Sequence, residues 1–373
     1  MERSVLRLII RDKGHNPFLS YMLPLAQHND GFLHILIAIG ASHLAFDDPA
    51  VHFSALSHYA VALRAVKYLI TQFGNGCRDN SLEILLLLVA LCAFEIFDGN
   101  TDGAVMHHWG SCSAVLLSQT ALLRKIDDGY ARFVAEQYMF IGLVNEYLGL
   151  VPPSQNGGFS PKPMLDLSSY YRERCSSCAY GLFEMIPQIA SLANKPSEYC
   201  PRYLDPDIIT EFHALEQRIL SWTVPTAVDC EPGYSSEPNE DELRAAIVQQ
   251  LALLMTLQCA LNGPGVPHLH IKTQIESCIL EATNLMRRIS PDSAAWGMLL
   301  WAFAHIGSCI LSEETRHEFV SVLRGIKNQV PGCAKFISVL EKLWEASGAE
   351  GRFYGPYGIR EFMSRERIKP SLG

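Results

Sequence analysis

Apolar residues recur along this chain at helical spacing. Leu33, Ile37, Ala41 and Leu44 stand at i, i+4, i+8 and i+11, which draws one apolar stripe along a helix. Tyr59, Leu63, Val66 and Ile70 repeat the stripe, with Arg64 and Lys67 off it. Leu82 to Phe97 is apolar nearly all round, so the pattern predicts a helix at the centre of a bundle. Glu95 falls in its last turn, and Gly99 supplies the residue that closes such a helix.

Start signals agree with the stripes. Asp48-Pro49, Asp205-Pro206 and Ser290-Pro291 each set a capping oxygen before a proline whose fixed φ suits the first helical position. Ser312 followed by Glu313 and Glu314 predicts another start, with acids where the helix dipole favours them. Sustained period-two alternation is absent, and the Asn-Gly pairs at Asn75, Asn156 and Asn262 lack flanking alternating strands, so they read as loops. The expected fold class is all-α, a multi-helix bundle forming a single large domain.

Two segments interrupt it. Residues 151–163 hold four prolines and two consecutive glycines and cannot continue a helix. Residues 229–242 hold six acids, two prolines and no base, the composition of a solvated loop. The expected organisation is an N-terminal tail over 1–14, a helical body over 15–350 and a C-terminal extension over 351–373. The extension, rich in Gly and Arg, is expected to pack loosely.

Composition narrows the function. Of 373 residues, 49% are hydrophobic and 18% charged, enough apolar surface for a sizeable core. Lys plus Arg is 30 against 39 Asp plus Glu, a net charge of −9, which argues against a chain that grips nucleic acid by itself. The first thirteen residues lack a signal-peptide core. The apolar stretches 84–94 and 298–311 fall short of the ~20 residues that span a bilayer, so no membrane span is expected. Eleven cysteines scattered through apolar segments read as reduced thiols of an intracellular protein.

Candidate chemistry is sparse. Cys175-Ser-Ser-Cys178 lacks the second pair of a zinc site, so no metal is expected. His34, His58, His107 and His108 lie on predicted helices with Glu95 and form the candidate acid–base set of an enzyme. No HExxH pair exists, and His34 and His43, nine apart, do not share a helical face. Asp47-Asp48, Asp127-Asp128 and Asp205-Pro-Asp207 sit beside proline or glycine and read as caps. Phosphate-binding glycine loops and a GxSxG elbow are missing, so no cofactor is expected.

Several segments together resemble a known family. The run 16–26 (NPFLSYMLPLA), then 33–45 (LHILIAIGASHLA), His58-Tyr59 with Ala62-Leu63-Arg64, Glu95-Ile96-Phe97-Asp98-Gly99, and His108-Trp109-Gly110 resemble the fungal-specific transcription factor domain. The likeness is to the branch containing sterol-uptake regulators and regulators of secondary-metabolite clusters. Ala295-Trp296 to His305, Glu313 to Arg316 and Leu340 to Trp344 resemble its closing block. The likeness spans about residues 15 to 350. It implies a transcriptional regulator, an effector-sensing and dimerisation body that works in the nucleus, with the cytoplasm as the alternative. Such regulators usually carry a six-cysteine binuclear zinc module, whereas this sequence has no cysteine before Cys77. Direct DNA binding is therefore not expected.

The functional expectation is a regulator that binds an apolar metabolite and a protein partner or a second copy of itself. Phe94, Phe97, Met106, Trp109, Tyr138, Met139, Trp296 and Trp301 are the candidate ligand-binding residues. The alternative is a cofactor-independent cyclase, isomerase or dehydratase on the same body, using His34, His58, Glu95, His107 and His108. A third reading is a remnant that pairs with a full-length relative.

Overall fold

Polar side chains begin the helices that the apolar stripes sustain. In the computed structural model, residues 18–45, 48–118, 129–144, 180–196, 204–224, 239–262, 265–326, 331–348 and 351–369 are described. Among them there are helices and turns and no strand. Chain contacts group into two compact units, one mainly of residues up to Gly142 and one mainly of residues from Ser176 onward.

The first unit contains α1 (Asp30–Leu44), α2 (His52–Gly74), α3 (Ser81–Asp98), α4 (Ala104–Ser118) and α5 (Gly129–Gly142). Asn29 caps α1, its side-chain oxygen accepting from the amides of Gly31 (2.8 Å) and Phe32 (3.3 Å). Its amide nitrogen donates to Glu83, which ties the start of α1 to α3. Asp48 accepts from the Ala50 amide and opens the 3-10 turn Pro49–Val51, which runs into α2. α3 is buried along nearly its whole length, as its apolar sequence predicts, and packs on α1, α2, α4 and α5. Gly99 ends it at φ 69°, where the Gly99 amide bonds the Ile96 carbonyl and the Asn100 amide bonds that of Glu95.

The second unit contains α6 (Ile186–Asn194), α7 (Pro206–Ser221), α8 (Glu240–Asn262), α9 (Leu269–Arg287), α10 (Leu300–Ser308), α11 (Glu313–Arg324), α12 (Pro331–Ser347, grouped here from Cys333) and α13 (Gly355–Glu366). α8 is its hub and touches α6, α7, α9, α10 and α13. Asp205 and Ser312 cap α7 and α11 as expected.

Three expectations are corrected. Ser290 does not start a helix. Its amide donates to Asp241 and its carbonyl takes the Trp296 indole N–H, so Ser293 caps the 3-10 turn Ala294–Met298 instead. The end of the acidic segment 229–242 is helical, because Asn239 caps α8 and Glu240, Asp241 and Glu242 occupy its first turn. The C-terminal extension is not loose. Phe353, Tyr354, Ile359, Phe362 and Met363 are buried, and α13 packs on α8 and α10.

α8 is also long and apolar enough, by length and composition, to cross a membrane, and most of it is buried inside the structure, as in the core helix of a globular unit. The sequence reading did not single it out, because Gln249, Gln250, Thr256 and Gln258 dilute the apolar run.

Candidate functional site

The first unit gathers titratable side chains around the last turn of α3. Tyr59 comes from α2, Glu95 from α3 and His108 from α4. Tyr59 donates its hydroxyl proton to Glu95, so its oxygen is left to accept from His108 Nε2 at 2.9 Å. His108 Nε2 lies 3.8 Å from the same Glu95 oxygen. Glu95 is 3% exposed and His108 9%, so both polar heads depend on one another and on Tyr59. The Tyr59 ring stacks on Phe94, with centroids 4.5 Å apart and planes at 18°. Burial first, then the hydrogen bond to Glu95 and its charge, push the Tyr59 hydroxyl far above its ordinary pKa. It is therefore a proton donor and not a phenolate.

Two further polar sets share this unit. Half-buried His34 on α1 meets His58 on α2 through Nδ1 to Nδ1 at 2.7 Å. Such a bond requires one ring to carry the proton and the other to present a lone pair. Asp98, at the end of α3, accepts from Ser42 (3.0 Å) and meets His52 Nε2 (2.9 Å). The carboxylate stands between serine and histidine, so the histidine does not activate the serine.

Of the sequence-predicted acid–base residues, Glu95 and His108 are brought together, and His34 and His58 form a separate pair. Among the described residues no hydrogen bond joins the two sets. His107 faces solvent, one residue and about 100° of helix away from His108. Tyr59 was missed as a polar partner, because its position on the α2 stripe marks it only as apolar.

The candidate ligand-binding residues divide between the units. In the first, Trp109 and Tyr138 stack at 5.1 Å and 8°. The Trp109 indole donates to the Tyr138 carbonyl (2.8 Å), and the Tyr138 hydroxyl meets Ser113 (2.7 Å). Gly142 makes room, since a Cβ there would stand 2.6 Å from Trp109 Cζ2. Phe94, Phe97 and Met139 are buried and Met106 is half-buried. Trp296 and Trp301 belong to the second unit.

Among the described residues no three His, Cys, Asp or Glu side chains form a metal-binding group. Cys92, Cys112, Cys259, Cys309 and Cys333 are free and buried. Burial pushes the Cys333 thiol up to about 12, outside the range of reactive thiolates. The Cys175–Cys178 pair lies outside the described residues.

The family model described as fungal specific transcription factor domain matches residues 4–371. No curated protein and no solved structure matches the chain.

Proposed function

We infer that this chain, which belongs to the fungal-specific transcription factor domain family and is a regulator of transcription, works as the effector-sensing and dimerisation body of a secondary-metabolite cluster regulator. The observation that carries the reading is the family match, which runs through nearly the whole chain. A net charge of −9 supports action of this helical body through a partner that reads DNA, because phosphate affinity comes from basic side chains. The apolar helix α3 in the first unit and, separately, α8 and α10 in the second support an interior within a unit that selects between packings when an apolar effector binds. The proposed site of action is the nucleus.

The paired groups of the first unit favour regulation over catalysis. Tyr59, Glu95 and His108 spend their hydrogen bonds on each other, which is how a core satisfies a buried carboxylate. The same convergence of an acid, a phenol and an imidazole favours a second reading, a cofactor-independent isomerase, cyclase or dehydratase with Glu95 and His108 as its proton-transfer groups.

Deleting the gene separates the two. Regulation predicts that transcripts of a biosynthetic cluster fall, and that a fluorescently tagged chain concentrates in the nucleus. An intermediate that accumulates while transcripts stay unchanged would establish the enzyme and overturn the regulator.

A further inference from the structure

Two buried thiols of the second unit converge on one point. Cys259 lies in the last turn of α8, and Cys309 follows the last residue of α10. A Cβ on Gly355, the first residue of α13, would stand 3.0 Å from the Cys259 sulfur and 3.7 Å from the Cys309 sulfur. The α13 backbone comes this close because Gly355 has no side chain and sits at φ 74°. The two thiols share a hydrogen bond, and the Tyr354 hydroxyl also bonds Cys309. Cys309 thus stands between two groups that carry polar hydrogens.

Thiols elsewhere are held differently. Cys92 in the first unit spends its hydrogen on the Val105 carbonyl at 3.7 Å. Cys278 on α9 is half-buried, whereas Cys259 and Cys309 are 3% and 2% exposed. The bond to Cys309 first, then burial, pushes the Cys259 group well above its ordinary pKa. In the closed unit it therefore stays a thiol and does not react. Tyr354 and Gly355 cover the pair from the C-terminal end of the chain, so a local opening of that cover admits a small oxidant.

We propose that Cys259 and Cys309 are a reversible oxidation site, which a hydroperoxide converts to a disulfide tying α8 to the end of α10. On opening, Cys309 gives up its proton and its sulfur attacks one oxygen of the peroxide. The O–O bond breaks, the second oxygen leaves as water with that proton, and a sulfenic acid remains on Cys309. The Cys259 sulfur then attacks the Cys309 sulfur, the S–O bond breaks, and water leaves with the Cys259 proton. Two thiols and one hydrogen peroxide thus give one disulfide and two waters, the sulfurs losing two electrons and the peroxide gaining them. The bond closes a loop of 50 residues (309 − 259 = 50), and a reducing compartment returns it to thiols. The inference goes beyond the effector-sensing reading and does not depend on it.

The test exposes the reduced full chain to hydrogen peroxide under native conditions, caps the remaining thiols by alkylation and maps the digest by mass spectrometry. The expected product is the Cys259 peptide joined to the Cys309 peptide, two hydrogens lighter than the sum of the two. It should exceed any other cysteine pair by roughly fivefold or more, and dithiothreitol should abolish it. Cys278→Ser should keep this product and Cys309→Ser should lose it. Recovery of both cysteines unlinked, a more abundant link from Cys278 to either of them, or a link formed only in urea overturns the proposal. Should Cys309→Ser not fold, the map of the unmodified chain decides.

Discussion

Replacing Tyr59 by Phe removes one oxygen and keeps the ring that stacks on Phe94. That oxygen serves two neighbours, donating to Glu95 and accepting from His108. A neutral buried hydrogen bond contributes roughly 1 kcal/mol and one to a charged group roughly 1.5–3 kcal/mol. With Glu95 only 3% exposed, water does not reach in to replace the loss, so Tyr59→Phe should cost about 3 kcal/mol. For a unit of this size that lowers the melting temperature by roughly 6–12 °C. The assay is thermal and urea unfolding of the variant, of Glu95→Met and of the double variant. Once Glu95 is gone the hydroxyl has lost its acceptor, so the two changes should be non-additive by more than about 1 kcal/mol. A cost below about 0.5 kcal/mol for Tyr59→Phe, or additivity within that margin, would refute the idea that these three side chains support one another.

Two more outcomes follow from burial. His305 has a folded pKa of about 3 against an ordinary 6.5, so the unfolded chain binds a proton that the folded chain refuses. Its contribution is complete above pH 6.5 and is lost as pH falls towards 3, by about 5 kcal/mol in all. His305→Gln should flatten the stability profile between those limits, and an unchanged slope would contradict the assignment. Gly142→Ala places a Cβ 2.6 Å from the Trp109 ring and should cost roughly 1–3 kcal/mol by overpacking, with a shift in tryptophan fluorescence as the local report.

Helices were legible because their signals are local. The run from Ile84 to Phe97 could only be central, and Asp48, Asp205 and Ser312 announce their caps through the residue that follows each. Ser290 carried the same signal and lost, because Asp241, 49 residues earlier, holds its amide. The extension misled through composition. Its Gly and Arg residues hid Ile359, Phe362 and Met363 at i, i+3 and i+4, a stripe that periodicity would have found. Glu95 and His108 were legible as polar residues on apolar helices. Tyr59 was not, since a tyrosine on a stripe gives no sign of where its hydroxyl points. The thiol pair of the second unit was readable only as two cysteines in apolar segments, with nothing local to bring positions 259 and 309 together.

The burial of α13 has a consequence in time. Gly355 lies against the thiol of Cys259, where a Cβ would stand 3.0 Å from the sulfur, so α8 waits for a residue 96 positions downstream (355 − 259 = 96) before that side is covered. At ribosomal speeds of roughly 5–20 residues per second this is an interval of about 5–20 s. During it that side of α8 stands bare in the nascent chain, which makes this stretch of synthesis a moment when a holdase chaperone matters.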